Sequence, residues 1–206
     1  MIKTFADIAF TPAVQAVQAA MGSRAAYAAQ EGSSERLFTL DGAAATFIAA
    51  RDHFFMATVS ETGWPYVQHR GGPPGFVQAL DEARFAFPDF RGNRQYVSVG
   101  NLAGDNRAAF IFMDFPGRAR LKALARIRLV DRAEDPDLMQ RLTLPGYRAA
   151  VERAFVATVE ALDWNCPQHI TPRFTEAELA AALAPVRERL AALEAENAAL
   201  KARLGD

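Results

Sequence analysis

Three histidines, a single cysteine and a set of arginine-rich loops are the residues of this chain with the most chemical reach. His53, His69 and His169 are too far apart in sequence to form a local metal motif. Cys166 and His169 share a C-x-x-H spacing, but a structural zinc site needs a second such pair. None accompanies it, so no metal is expected. Cys166 beside His169 has the makings of an activated nucleophile, while packing as a small loop residue beside Trp164 is the simpler account. The sequence holds no G-x-x-x-x-G-K-[ST] phosphate loop, no G-x-G-x-x-G after a strand and no G-x-S-x-G elbow. Nucleotide-triphosphate, Rossmann and serine-hydrolase chemistries therefore lack their sequence basis. No carboxylate pair stands out for general acid–base work, so catalytic residues cannot be assigned from the sequence.

A more suggestive grouping is polar and flexible. Gln68-His69-Arg70-Gly71-Gly72-Pro73-Pro74-Gly75 closes one extended segment, and Asp89-Phe90-Arg91-Gly92-Asn93-Arg94 closes another. Ser98 and Asn101 follow on an expected short helix. Glycines allow close approach of backbone N–H groups to a ligand. Arginines grip phosphate through charge-assisted, bidentate hydrogen bonds. A helix N-terminus after Asn93-Arg94 adds donors for the same anion. On composition alone, two loops with solvated arginines account for the pattern equally well.

The elements that must position these residues fall into four zones. The first is helical and runs to about Arg51. Thr11-Pro12 reads as an N-cap with proline at the first helical position, and Gly22 as the end of that helix. Asp41 caps a second helix bearing Phe47 and Ile48. The second zone, about His53 to Val130, alternates strand-forming runs with turns. Strands are expected at Phe54–Ser60, Trp64–Gln68, Phe76–Leu80, Arg84–Phe87, Ala108–Phe115 and Ala119–Val130, with a short helix near Tyr96–Leu102. In the third zone Asp135-Pro136 starts a helix to Leu142, and a strand spans Ala154–Leu162. The loop Trp164-Asn165-Cys166-Pro167-Gln168-His169-Ile170-Thr171-Pro172-Arg173 follows. Short strands joined by tight turns predict an antiparallel barrel or sandwich.

The fourth zone is a C-terminal helix opened by the capping box Thr175-Glu176-Ala177-Glu178. Leu179, Leu183, Val186, Leu190, Leu193, Leu200 and Leu204 recur at steps of four and three, with Asn197 on the same stripe. This is a heptad seam, and one Asn at an a position favours a parallel two-stranded coil. Pro185, inside the stripe, must kink or restart the helix. Packing of the helix on its own barrel is the alternative to self-association.

The chain has 206 residues, 50% of them hydrophobic and 23% charged, with a net charge of -1. The size suits one domain with appendages. The charge balance speaks against a nucleic-acid partner. No apolar run approaches the ~18 residues of a membrane span, and no secretory signal is visible, so a cytoplasmic location is expected. Lysine occurs only at Lys3, Lys122 and Lys201, leaving almost all positive charge on arginine.

The run from Phe47 to Val130 resembles the pyridoxamine 5'-phosphate oxidase-like FMN-binding split-barrel family. The resemblance lies in Phe54–Ser60, Gly63–Gly72, Pro88–Asn93 and Ser98–Leu102. The loop Trp164–Ile170 is similar to that of an uncharacterised bacterial branch. The resemblance covers about residues 42–175. It implies a six-stranded antiparallel split β-barrel over 42–174; the resemblance does not extend to the N-terminal helical segment over 1–41 or the C-terminal heptad helix over 175–206, which the caps and heptads predict, and together they make a mainly β chain with flanking helices. It also implies a homodimer with FMN in clefts at the interface, where FAD, a deazaflavin or haem are alternatives. Gln68, His69, Arg70 and Gly71 would line the flavin. Arg91, Asn93, Arg94 and Ser98 would hold its phosphate, with Asn101 near by. Arg120 would reach the ring from the other subunit, and Trp164 and His169 would cover the flavin or form the substrate pocket. The implied activity is hydride transfer between a nicotinamide or small substrate and flavin. The alternative is a non-catalytic flavin or haem module, with His53, His69 or His169 as axial ligands. Two departures argue against vitamin B6 oxidation. Tyr96-Val97-Ser98 lacks the basic pair that starts the family's phosphate-binding helix, and the Arg-x-Pro closing segment is absent.

Overall fold

A computed structural model describes residues 3–32, 39–165 and 167–205. Cys166, and with it the question of a Cys166–His169 nucleophile, lies outside the described residues. Three short helices come first: α1 (Phe5–Ala9), α2 (Pro12–Ala20) and α3 (Arg24–Ala28). Thr11 caps α2 through its side chain, with Pro12 at the first turn, and Gly22 follows at φ 74°. Helix α4 (Gly42–Ala49) is capped by the Asp41 carboxylate and buries Ala44 and Ile48. These caps arise where expected because an N-terminal orphan N–H needs a short oxygen-bearing side chain.

Seven strands form one antiparallel sheet in the order β2-β1-β5-β6-β7-β4-β3. They are β1 (His53–Val59), β2 (Pro65–Gly71), β3 (Gln78–Ala79), β4 (Arg84–Phe90), β5 (Arg107–Asp114), β6 (Ala119–Asp131) and β7 (Val151–Asn165). The mainly antiparallel β fold with flanking helices is the one expected, and the count rises from six strands to seven with β3, a two-residue strand that pairs only with Phe85 and Ala86. The expected strand at Phe76–Leu80 shrinks to it because Phe76 and Val77 turn into the core instead of continuing the ladder. β7 is longer than expected and pairs with β6 from Asp131 to Arg120, with a bulge at Leu124/Ala125.

The sheet rolls onto itself. β1 and β4 are separated by three strands in the sheet, yet the Phe54 and Phe87 rings lie 4.9 Å apart, edge to face. Strand alternation puts Phe54 and Met56 of β1 and Phe110 and Phe112 of β5 inward, where they meet Phe76, Phe85 and Phe155. Aromatic rings fill such a barrel because each buries a large area and tolerates edge-to-face contact. Helix α6 (Pro136–Arg141), capped by Asp135, covers the outside of β4, β6 and β7 with Leu138, Met139 and Leu142. Helix α5 (Val97–Gly104) connects β4 to β5. The C-terminal α7 (Glu176–Leu204) carries the Thr175–Glu178 capping box and runs uninterrupted through Pro185, so the proline does not restart the helix. Proline withholds one N–H, and the helical turns on either side remain. No helix among the described residues is long and apolar enough to cross a membrane.

Candidate functional site

β2 begins the sheet order, and β4 runs on past its short neighbour β3, so the barrel is split between β2 and β4. Alternation along β2 sends Tyr66, Gln68 and Arg70 to the side of this split and Val67, His69 and Gly71 to the other. A cleft opens there. It is lined by Tyr66, Gln68 and Arg70 of β2, Asp89 and Phe90 of β4, the 92–96 turn, Val97–Val99 of α5 and Glu152 of β7. Five of the expected site residues, Gln68, Arg70, Asn93, Arg94 and Ser98, converge on it.

Each is held differently. Ser98 is buried and donates its hydroxyl to Gln68 Oε1 at 2.9 Å. Asn93 Oδ1 accepts from the Gln95 amide at 3.2 Å, an Asx turn that sets the loop. Arg94 has φ 61° and donates Nε to the Tyr96 hydroxyl at 3.4 Å. That hydroxyl in turn donates to Glu152 at 3.0 Å. Tyr96 itself stands at φ 52° as the N-cap of α5, with no side chain capping the helix. Two non-glycine residues in left-handed backbone within three positions are unusual, and such residues cluster at functional sites. The first N–H groups of a helix have no intrahelical acceptor, and with no N-cap side chain bonded to them they suit an anion.

Arg70 latches the split: its Nη1 lies 2.6 Å from Asp89 Oδ1, and its guanidinium stacks 4.7 Å from the Phe155 ring centre. Arg153 Nε approaches the other Asp89 oxygen at 3.3 Å. The Nε atoms of both arginines are buried without a hydrogen-bond partner. Glu152 bonds Arg91 Nε at 2.8 Å and Arg153 at 3.6 Å. The Arg91 hydrogen bond is the main cause holding its carboxyl below the ordinary glutamate range, aided by the Tyr96 hydroxyl. Arg94 is pushed the other way, its charged form favoured first by Tyr96 and then by Glu152. Around the cleft four guanidiniums, of Arg70, Arg91, Arg94 and Arg153, face two carboxylates, of Asp89 and Glu152. The surplus is positive.

The remaining expected residues lie elsewhere. Arg91 is exposed at the rim on Glu152. Asn101 is buried and donates to Thr58 Oγ1 at 3.0 Å, joining α5 to β1. His69 faces away from the cleft, its ring 5.7 Å from that of His53, whose Nδ1 meets Asp52 at 2.6 Å. Gly71 ends β2 outside the cleft lining, where a Cβ would stand 2.9 Å from the His69 ring, and a Cβ on Gly72 would stand 2.7 Å from the buried Phe76 ring. Arg120 is on β6, opposite Met113 and Asn165. Trp164, next to last in β7, packs edge-on against Phe47 at 4.8 Å. His169 is exposed at φ 63°. Asp89 and Tyr96 stand in the polar segments of the sequence without an assigned role, and Glu152 and Arg153 are not singled out there. The aspartate and arginine carried a readable signal, an acid in a strand among aromatics and a base in the facing strand, but their pairing depends on register. Among the described residues no group of three or more His, Cys, Asp or Glu side chains is arranged to hold a metal ion.

A search of curated proteins finds no match. Similar solved structures include HupZ of Group A Streptococcus, with 12% identity over 64% of this chain and 98% of that chain and a TM-score of 0.45. An FMN-binding protein from Syntrophomonas wolfei shares 11% identity over 59% of this chain and 84% of its own, with a TM-score of 0.45. HutZ, the heme storage protein from Vibrio cholerae, shares 14% over 60% and 93%, with a TM-score of 0.41. The sequence profile of the pyridoxamine 5'-phosphate oxidase family matches residues 40–162, which spans α4 and all but the end of the seven-stranded sheet. The chain belongs to the pyridoxamine 5'-phosphate oxidase family.

Proposed function

We propose that the cleft at the split binds the phosphate of a flavin, FMN in the first instance, and that the chain acts as a flavin-dependent oxidoreductase. The observation that supports this best is the convergence of Gln68, Arg70, Asn93, Arg94 and Ser98 on an uncapped helix start with surplus positive charge. The buried, unpartnered Arg70 Nε beside the cleft fits an anionic group. The enclosed space, about 60 Å³, is far below the roughly 300–1,000 Å³ of whole-ligand pockets. It suits a phosphate, with the ring lying beyond it. FAD or a deazaflavin would present the same phosphate chemistry.

A second copy of the chain completes the site in this proposal. The outer face of β2, β1, β5 and β6 carries Val67, Phe55, Ala57, Val59, Ala109 and Leu124, and Val67 is 63% exposed. An apolar sheet face of this kind fits a homodimer interface. Arg120, Trp164 and His169 of the second copy would then approach the ring. The flavin would supply two-electron chemistry toward a nicotinamide or other small substrate. Arg94, Ser98 and the α5 N-terminus bind and orient its phosphate, and Arg70 holds the split at fixed width. The reading as a non-catalytic flavin or haem module draws on the adjacent His53 and His69 rings. The Asp52 contact to His53 Nδ1 leaves Nε2 as the ring nitrogen available to a ligand.

Titration of the purified chain with FMN tests the proposal. Arg94→Ala should weaken FMN binding about 10- to 100-fold, the worth of one charge-assisted hydrogen bond. Unchanged affinity removes Arg94 from the clamp, and failure of the native chain to bind FMN removes the flavin reading. A Soret band after haem supplementation supports the second reading instead. Anaerobic bleaching of the flavin by a nicotinamide supports the oxidoreductase, and its absence supports the module.

A further inference from the structure

Helix α7 extends for 29 residues and buries none of them. At ~1.5 Å per residue it is about 44 Å long. Helices in proteins draw most of their stability from packing an apolar face, and this helix has one on display. Leu179, Leu183, Val186, Leu190, Leu193, Leu200 and Leu204 are 43–80% exposed.

We propose that this stripe is the seam of a parallel, in-register two-stranded coiled coil with α7 of a second copy. The steps of four and three assign Leu183, Leu190, Asn197 and Leu204 to a, and Leu179, Val186, Leu193 and Leu200 to d. Only the parallel, in-register arrangement sets Asn197 against its symmetry mate; reversing one helix would oppose it to a leucine at d.

Two further observations point the same way. The flanking e positions are Ala180, Arg187, Glu194 and Lys201, and the g positions Ala182, Arg189, Glu196 and Arg203. In a parallel pair each g residue meets the e residue five places on in the other helix. Arg189 then meets Glu194, Glu196 meets Lys201 and Ala182 meets Arg187, so no like charges are opposed. Second, α7 carries a hollow of about 430 Å³ bordered by Leu190, Leu193, Glu194, Asn197, Ala198 and Lys201. Leu190, Leu193, Glu194 and Asn197 are successive a, d, e and a positions, the four corners of the hole that receives a d-position knob. The second copy's Leu193 would fill it. This contact is independent of the flavin reading.

Disulfide trapping in the full chain tests it, in a Cys166→Ser background. Leu190→Cys places thiols face to face across the seam, and mild oxidation should convert most of the chain to covalent dimer. Ala195→Cys, on the outward f position, should trap at least tenfold less. Arg189→Glu added to Leu190→Cys should slow trapping several-fold, and a compensating Glu194→Arg should restore it. No covalent dimer from Leu190→Cys, or equal trapping at both positions, overturns the proposal, as does indifference to the charge reversal. None of these outcomes bears on FMN affinity.

Discussion

The Arg70 guanidinium is shared between the barrel and the cleft, and that sharing sets what its removal does. Its Nη1 neutralises Asp89, whose side chain is 8% exposed. Arg70→Ala leaves that carboxylate with Arg153 alone, at 3.3 Å. Uncompensated buried charge costs about 3–5 kcal/mol, and the remaining arginine trims this to about 2–4 kcal/mol. A matching drop in the urea midpoint is expected for Arg70→Ala, whereas Arg94→Ala should change stability by less than about 0.5 kcal/mol. An Arg70→Ala midpoint equal to the native one contradicts the latch. Glu152 offers a pH test. Its folded carboxyl is held below the ordinary range by Arg91, Tyr96 and Arg153. Its contribution is therefore full above the unfolded value, about 4.3, and is lost as pH falls through the lowered folded value. The native chain should exceed Glu152→Gln in stability at neutral pH, and the gap should close as the pH falls below about 4. A gap equally wide at pH 3 and pH 7 rules this out.

Among the elements, β4 explains how one strand serves both core and cleft. Phe85, Ala86, Phe87, Pro88 and Asp89 are buried in succession. Phe85 and Phe87 face the aromatic interior, while Ala86 meets the α6 cluster outside. A strand covered on both faces reads as a continuous apolar run. Pro88 lies beyond the last β3 pair, where the strand has a ladder on one side only, and there a residue without an N–H is tolerated. Phe87 touches Phe54, Phe85, Phe110 and Phe155. Phe87→Ala should cost about 3–5 kcal/mol in chemical denaturation. A loss below 1 kcal/mol would mean that this strand does not anchor the barrel.

For the whole molecule, the proposed dimer rests on two separate surfaces: the outer sheet face and α7. They predict different behaviour on truncation. Removing the chain after Thr175 takes away no buried residue of α7. The shortened protein should still sediment as a dimer through the sheet face. A monomeric product would show that the coil is the principal contact.

Caps, heptads and strand runs were legible in the sequence because each is set by residues within a turn or two of one another. Asp41, Thr11 and Thr175 therefore start their helices where expected. The arginine-rich loops could be singled out as anion-seeking, but not sorted. Gln68 and His69 are neighbours in sequence, and strand alternation sends one into the cleft and the other away from it. Asn101 looked like a ligand residue, and rolling of the sheet gave it Thr58 as a partner. Arg70 and Asp89 are 19 positions apart, and only closure of the barrel brings them to 2.6 Å. The sequence by itself determined which elements form and which charges are available. The tertiary structure decided which of those charges neutralise one another and which remain for a ligand, because pairing follows from the register and curl of strands distant in the chain.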